Sequence, residues 1–336
     1  MNYYELDRKR NVFGSLLFIV LILTVATSLS IGSYNLSIND VFSGNTIFWN
    51  IRLPRVLTAM LVGASLAVSG AVMQCVLRNP LASSFTLGIS HGAAFGAAFA
   101  IIVLGAGIVH RTGEGLTIVN PYVISLFAFL GSLGSVAVIL LLAKIRNLSP
   151  EAMVLAGIAM ASLFSAGTML IQYFAQNDVL VSYVVFWTFG DVGRTAWKEV
   201  FLIAVSFALI FPYFILRRWD YNALLMDDET AKSLGVNPQR VRLESMLLSA
   251  FLTSVCVSFT GIIGFIGLVS PHMIRIVLGE DHRYLLPFSS LLGSLLLLLS
   301  DTFGRTAYSV IIPVGIITSF IGAPVFIYLL LRGGGR

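Results

Sequence analysis

VLTAMLVGASLAVSGAVMQCVLRNPLASSFTLGISHGAAFGAAFAIIVLGAGIVH, residues 56–110, carries one formal charge, Arg78. The charge-free arms on either side, 56–77 and 79–110, are each long enough to cross a bilayer, since a helix needs about 20 apolar residues to traverse about 30 Å of hydrocarbon. Backbone N–H and C=O groups find no partners in lipid, so a spanning segment must bond internally as a helix. Working outward, charge-free runs recur at 11–39, 115–143, 152–177, 200–216, 245–274, 284–300 and 306–331. Of the 336 residues, 57% are apolar and 11% charged, and the mean hydropathy is +0.91. Soluble domains carry about 25% charged residues. The chain therefore reads as one all-α integral membrane domain over 1–336, and barrel, dinucleotide-binding and disordered readings are excluded.

Arg8, Lys9 and Arg10 precede the first apolar run and place the amino terminus in the cytoplasm. That run is too long for a secretory h-region, so it is expected to stay as the first span. Ten spans are predicted: 12–32, 54–77, 84–104, 121–143, 151–173, 197–216, 242–262, 264–278, 284–300 and 309–331. Both termini are then cytoplasmic, with 15 basic residues inside and six outside. The net charge of +5 reflects those loops rather than nucleic-acid binding. Cys75 and Cys256 fall in apolar runs and read as small buried hydrophobes.

Residues 217–244 hold 10 of the 37 charges and form the one substantial cytoplasmic segment. Asp227, Asp228 and Glu229 start a short helix running through Ala231, Lys232 and Leu234 to a stop at Gly235, and Asn237-Pro238 starts another. The segment reads equally as a solvated connector or as short helices lying on the membrane to receive a soluble partner. A spacing match also appears: Gly70, Pro80 and Leu87-Gly88 recur as Gly261, Pro271 and Leu278-Gly279 at an offset of 191, in segments running oppositely through the membrane. That is the pattern of an inverted repeat. Gly92 with Gly96, Gly131 with Gly134, and Gly261, Gly264 and Gly267 predict close helix approaches, either for packing or along a pathway.

No GxxxxGK[ST] phosphate loop occurs, so ATP chemistry is expected on another chain. The apolar runs hold no ionisable carboxylate of the kind an ion-coupled carrier uses near mid-bilayer. His91, His110, His272 and His282 lack metal-ligand spacing. No catalytic group, metal site or resident cofactor is assigned, which leaves a lipid-modifying membrane enzyme and a stand-alone carrier as weaker readings. Arg52 and Arg55, in IRLPR, and Arg305 sit at outer ends of spans, against the inside bias. Either they snorkel to lipid phosphates or pair with Asp40 and Asp301, or they form a cationic rim for an acidic external partner.

Seven segments together are more specific: IRLPRVLTAMLVGASLAVSGAVMQ (51–74), RNPLASSFTLGIS (78–90), VLAGIAMASLFSA (154–166), ETAKSLGV (229–236), GIIGFIGLVSPHMIR (261–275), DHRYLLP (281–287) and PVGIITSFIGAPVFIYLLLR (313–332). In this order they resemble the FecCD-type permeases, membrane subunits of ABC importers for ferric siderophores, haem and vitamin B12. The resemblance implies a type II importer fold with inverted repeats, in a bacterial or archaeal cell membrane. It also implies a second permease copy or paralogue, cytoplasmic ABC ATPase subunits that hold ATP and magnesium, an external substrate-binding protein, and surrounding membrane lipid. Arg52, Arg55 and Arg305 match arginines that receive glutamates of the binding protein. Glu229, Ala231, Leu234 and Gly235 match the helices that seat in the ATPase, and Ser149, Pro150 and Glu151 match a cytoplasmic gate loop. At that loop vitamin B12 members carry small hydroxyl residues, so Pro150 and Glu151 depart from the vitamin B12 pattern; a ferric siderophore is the expected cargo because that cargo dominates the family, with haem and vitamin B12 as alternatives.

Overall fold

The computed structural model describes residues 3–31, 45–106, 109–112, 115–118 and 120–333. Thirteen α-helices occur among them. The first five are α1 (Tyr3–Ser30), α2 (Leu53–Val76), α3 (Ile89–Ala98), α4 (Pro121–Ile145) and α5 (Pro150–Tyr173). Next come α6 (Asp178–Thr188), α7 (Trp197–Leu216), α8 (Arg218–Leu224) and α9 (Asp228–Ser233). The chain closes with α10 (Pro238–Thr260), α11 (Ile266–Leu278), α12 (His282–Thr306) and α13 (Val314–Gly333). Single π turns precede α2 and extend α3 to Val103, and a small antiparallel hairpin pairs Val109–Thr112 with Gly115–Ile118.

Among the described residues, seven helices are long and apolar enough to cross a membrane. The other three expected spans fall on α3, α11 and α13, so every expected span has its helix. The lengths repeat as long, short, long, long in α2–α5 and again in α10–α13, with opposite directions through the membrane under the expected topology. This order, rather than the offset of 191, carries the inverted repeat. The offset would equate Gly70 inside α2 with Gly261 at the end of α10, and Pro80 in a loop with Pro271 inside α11. Two elements were not anticipated: the hairpin, and α6, an 11-residue helix within the 174–196 connector.

α2 is the hub, buried along almost its whole length, whereas α1, α5 and α7 present most of their surface outward. Its small residues explain that position. A Cβ on Gly63 would run into the Gly293 carbonyl of α12, and one on Gly70 into the Gly267 carbonyl of α11, so glycine permits both backbone approaches. Gly92 and Gly96 of α3 make the same close approach to α4 at Gly131 and Phe127, whereas Gly134 faces open space. Without a hydrophobic force between helices in lipid, such approaches supply the van der Waals contact that holds the bundle.

Candidate functional site

The hub α2 begins and ends in charge clusters, one at each face of the bundle. At the face where α1 ends, Asp301 of α12 is buried and accepts from Arg55 Nε at 2.9 Å and, four residues along its own helix, from Arg305 Nε at 3.0 Å. Arg55 also reaches Asp191 at 3.5 Å, and Asp191 accepts from the Gly193 N–H at 2.8 Å, tying in the turn before α7. The last carbonyls of α1 lack helical partners and carry the negative end of its dipole. Arg52 donates to Leu29 O and Ser30 O at 2.8 and 2.9 Å, and Arg305 donates to Ser28 O at 3.2 Å and Ser28 Oγ at 2.7 Å.

Arg52, Arg55 and Arg305 are thus together as expected, but all are buried and engaged inside the chain. Carboxylates arriving from outside would have to compete with Asp301 and the α1 carbonyls, or extend this knot. Pairing with Asp301 occurs for Arg55 and Arg305, while Asp40 lies outside the described residues.

At the opposite face, Asp227 caps α9 by accepting from Thr230 N at 2.6 Å. Gly235, at φ +83°, ends it: Gly235 N donates to Lys232 O and Val236 N to Ala231 O, the Schellman pattern in which glycine avoids a left-handed Cβ penalty. Asn237 then caps α10 through Arg240 N at 3.1 Å, with Pro238 in its first turn.

The strongest connection here is one the sequence did not single out. Asp228 accepts from both terminal nitrogens of Arg242, at 2.8 and 2.6 Å, and from Arg78 at 2.7 Å. Arg242 is 2% exposed and also donates to Val76 O at 3.1 Å, at the end of α2, while Arg78 donates to Leu224 O at 3.1 Å. Hydrogen bonds from Arg242 hold the Asp228 carboxyl below the usual carboxylate range, against the opposing effect of burial. A surface helix is thereby bolted to the hub. Only charges at an otherwise apolar helix start signalled it.

Nearby, Asp281 caps α12 and receives bonds from Arg283 at 2.6 Å and Asn222 at 3.0 Å. Burial would raise its pKa, but these partners override it and hold it at about 2. Of the expected coupling residues, Glu229, Leu234 and Gly235 are exposed. Ala231 is fully buried, so it seats α9 on the bundle and is not available to a partner. Met226, 67% exposed and before α9, and Leu234, 64% exposed and after it, stand out as apolar side chains on this charged surface.

Ser149, Pro150 and Glu151 open α5 as a helix start: Ser149 Oγ accepts from Ala152 N at 3.3 Å, Pro150 takes the first turn and Glu151 meets the positive dipole end. Most of α5 beyond them faces outward. Among the described residues, no group of three His, Cys, Asp or Glu side chains is placed to hold a metal ion.

The sequence pattern of the FecCD transport family matches residues 19–332. An ABC transporter permease protein of Methanocaldococcus jannaschii is 55% identical, over 98% of this chain and 97% of its own length. A hemin transport system permease of Yersinia pestis is 38% identical, and a molybdate import system permease of Haemophilus influenzae 33%, each over 96% of both chains. A solved transporter structure, described as of metal-chelate ABC type in an inward-facing conformation, superposes with a TM-score of 0.84 at 34% identity. It covers 95% of this chain and 98% of that one.

Proposed function

Because this chain belongs to the FecCD transport family and is a membrane-spanning ABC importer permease, we propose that it forms the path for a ferric siderophore. ATP hydrolysis would occur on separate cytoplasmic subunits. The observation that carries the coupling half of this reading is the α8–α9 segment. It is anchored to the hub through Asp228, Arg242 and Arg78, yet presents Met226 and Leu234 outward. Exposed apolar side chains at both ends of a fixed helix suit seating in a cleft of an ATPase. Movement imposed there would pass through Asp228 to the ends of α2 and α10. Glu229, Leu234 and Gly235 belong to this coupling surface, and Ala231 to its base. ATP and magnesium are held by the partner, and this chain supplies no reacting group.

The face bearing Arg52, Arg55 and Arg305 receives the external binding protein, and the permease works as a pair of copies or with a paralogue. Both termini lie in the cytoplasm of a bacterial or archaeal cell, and Ser149, Pro150 and Glu151 border the inner mouth of the path. The metal-chelate description of the similar structure and the hemin name of one relative support a chelated iron cargo. Haem is the second reading on the same grounds.

The test is reconstitution of the chain with its ATPase and binding protein in liposomes, following labelled ferric siderophore, haem and molybdate with and without ATP. ATP-dependent accumulation of the siderophore is expected. Accumulation of haem or molybdate alone would overturn the cargo, and assembly without any ATPase would overturn the class.

A further inference from the structure

Two cavities join end to end between α4, α7 and α10. The first, about 480 Å³, lies where α4 and α7 begin and α10 ends, and its lining includes Tyr122, Tyr183, Trp187, Arg194 and Glu199. The second, about 330 Å³, shares Tyr122, Ser125, Ser258 and Phe259 with the first and continues along the helices past Phe129, Leu202 and Phe251. From Tyr122 to Phe129 is seven residues of α4, about 10 Å at the helical rise. That depth stays within one leaflet, which is about 15 Å of hydrocarbon.

The two ends differ in chemistry. The mouth carries a cation, a carboxylate, two tyrosines and a tryptophan, the side chains that sit at the level of lipid head groups. The inner end is almost wholly apolar. Arg194 donates to Phe186 O at 2.6 Å and Trp187 O at 3.4 Å, which fix its position and use two of its five N–H donors. Glu199 is held in turn by accepting from Ala196 N at 2.8 Å through Oε2. An arginine fork fits the oxygens of a phosphodiester, and a carboxylate lining the same cavity fits an ammonium group. A water-soluble cargo would leave the apolar arm unfilled, and a plain hydrocarbon would leave the charged mouth unused.

We propose that this pair of cavities is a binding site for one membrane lipid, with its phosphodiester at Arg194, its ammonium at Glu199 and a hydrocarbon chain in the groove between α4, α7 and α10. The site adjoins the Arg55 cluster through the 191–194 turn, since Asp191 reaches Arg55 and Arg194 closes that turn; it lies at the opposite end of the bundle from α9 and does not depend on which cargo the permease carries.

The test uses the full chain in detergent, titrated with phosphatidylethanolamine, phosphatidylglycerol or diacylglycerol, and reads retained lipid by native mass spectrometry. One phosphatidylethanolamine per chain is expected, held more tightly than phosphatidylglycerol and about tenfold more tightly than diacylglycerol. Arg194→Gln should bring phosphatidylethanolamine to the diacylglycerol level, because a charge-assisted bond is lost. Ser206→Trp, which fills the groove, should weaken all three. If that variant does not fold, Leu202→Trp probes the same arm. Diacylglycerol retained as well as phosphatidylethanolamine, or retention unchanged in a folded Arg194→Gln chain, would overturn the site. Tighter binding of phosphatidylglycerol than phosphatidylethanolamine would overturn the ammonium contact at Glu199.

Discussion

Asp228→Asn tests the connection between the surface helix and the hub. Arg242 is almost fully buried, while the Asp228 side chain is 36% and the Arg78 side chain 33% exposed. Breaking a fully buried pair costs about 3–5 kcal/mol and an exposed pair at most about 1. Partial solvent access at Asp228, and the acceptor that asparagine retains, place the expected cost at about 2 kcal/mol. If that cost falls on the undocking of α9, the opening equilibrium rises about 30-fold. The amides that report it are Ala231, bonded to Asp227 O, and Val236, bonded to Ala231 O. Hydrogen exchange of the chain in lipid nanodiscs should therefore accelerate about 30-fold at these two positions. Asp220→Asn removes a 2.8 Å contact to Arg217 outside α9 and should leave them nearly unchanged. ATP-driven uptake should fall in Asp228→Asn while the chain still inserts. Unchanged exchange at Ala231 and Val236 would refute the anchor. Faster exchange with full uptake and normal ATPase association would refute its role in coupling.

Asp301→Asn should lower the thermal midpoint of the detergent-solubilised chain by several degrees, since it leaves Arg305 without a carboxylate and Arg55 with only the 3.5 Å contact to Asp191. Glutamate at Arg52, Arg55 and Arg305 should in addition weaken binding-protein association and flatten its salt dependence; a lowered midpoint with unchanged affinity would confine the arginines to fastening helix ends. The depressed pKa of Asp281 means that its contribution is present above the ordinary carboxylate value near 3.9 and is lost as pH falls through about 2. Emission of Trp219, over whose ring Arg283 lies at 4.9 Å, should accordingly hold at pH 3 and change nearer pH 2, with Trp219→Phe giving the background; a midpoint near 4 would contradict the paired state. Gly235→Ala should cost about 1 kcal/mol through the left-handed backbone alone, because no atom lies within 4 Å of the added Cβ, and Gly235→Asn should cost less. Equal exchange at Val236 in the two variants would argue against that cause.

What could be read in the sequence divides by how far apart the cooperating residues lie. The spans rest on runs of apolar residues, and the α9 cap and stop rest on Asp227, Thr230 and Gly235, all within one short segment. These are local, and they were legible. The helix α6 also had a local signal, since Asn177 accepts from Val179 N at 2.9 Å as a helix cap. At 11 residues, though, that helix is too short to register as a span.

The charge clusters are another matter. Arg55 meets Asp301 across 246 residues, Arg242 meets Val76 across 166, and Arg78 meets Asp228 across 150. Inside bias identifies an arginine as out of place without naming its partner. Among the partners that no charge count contains are the backbone carbonyls closing α1 and the carbonyl closing α2. Each is a helix end whose orphan acceptors need a donor, and each arginine that fills one fixes two spans to each other. The outer arginines therefore make sense as structure before any external partner is considered. Any role in docking must act through a knot already tied, which is why the two roles are separated by setting the arginine variants beside Asp301→Asn rather than by the arginines alone.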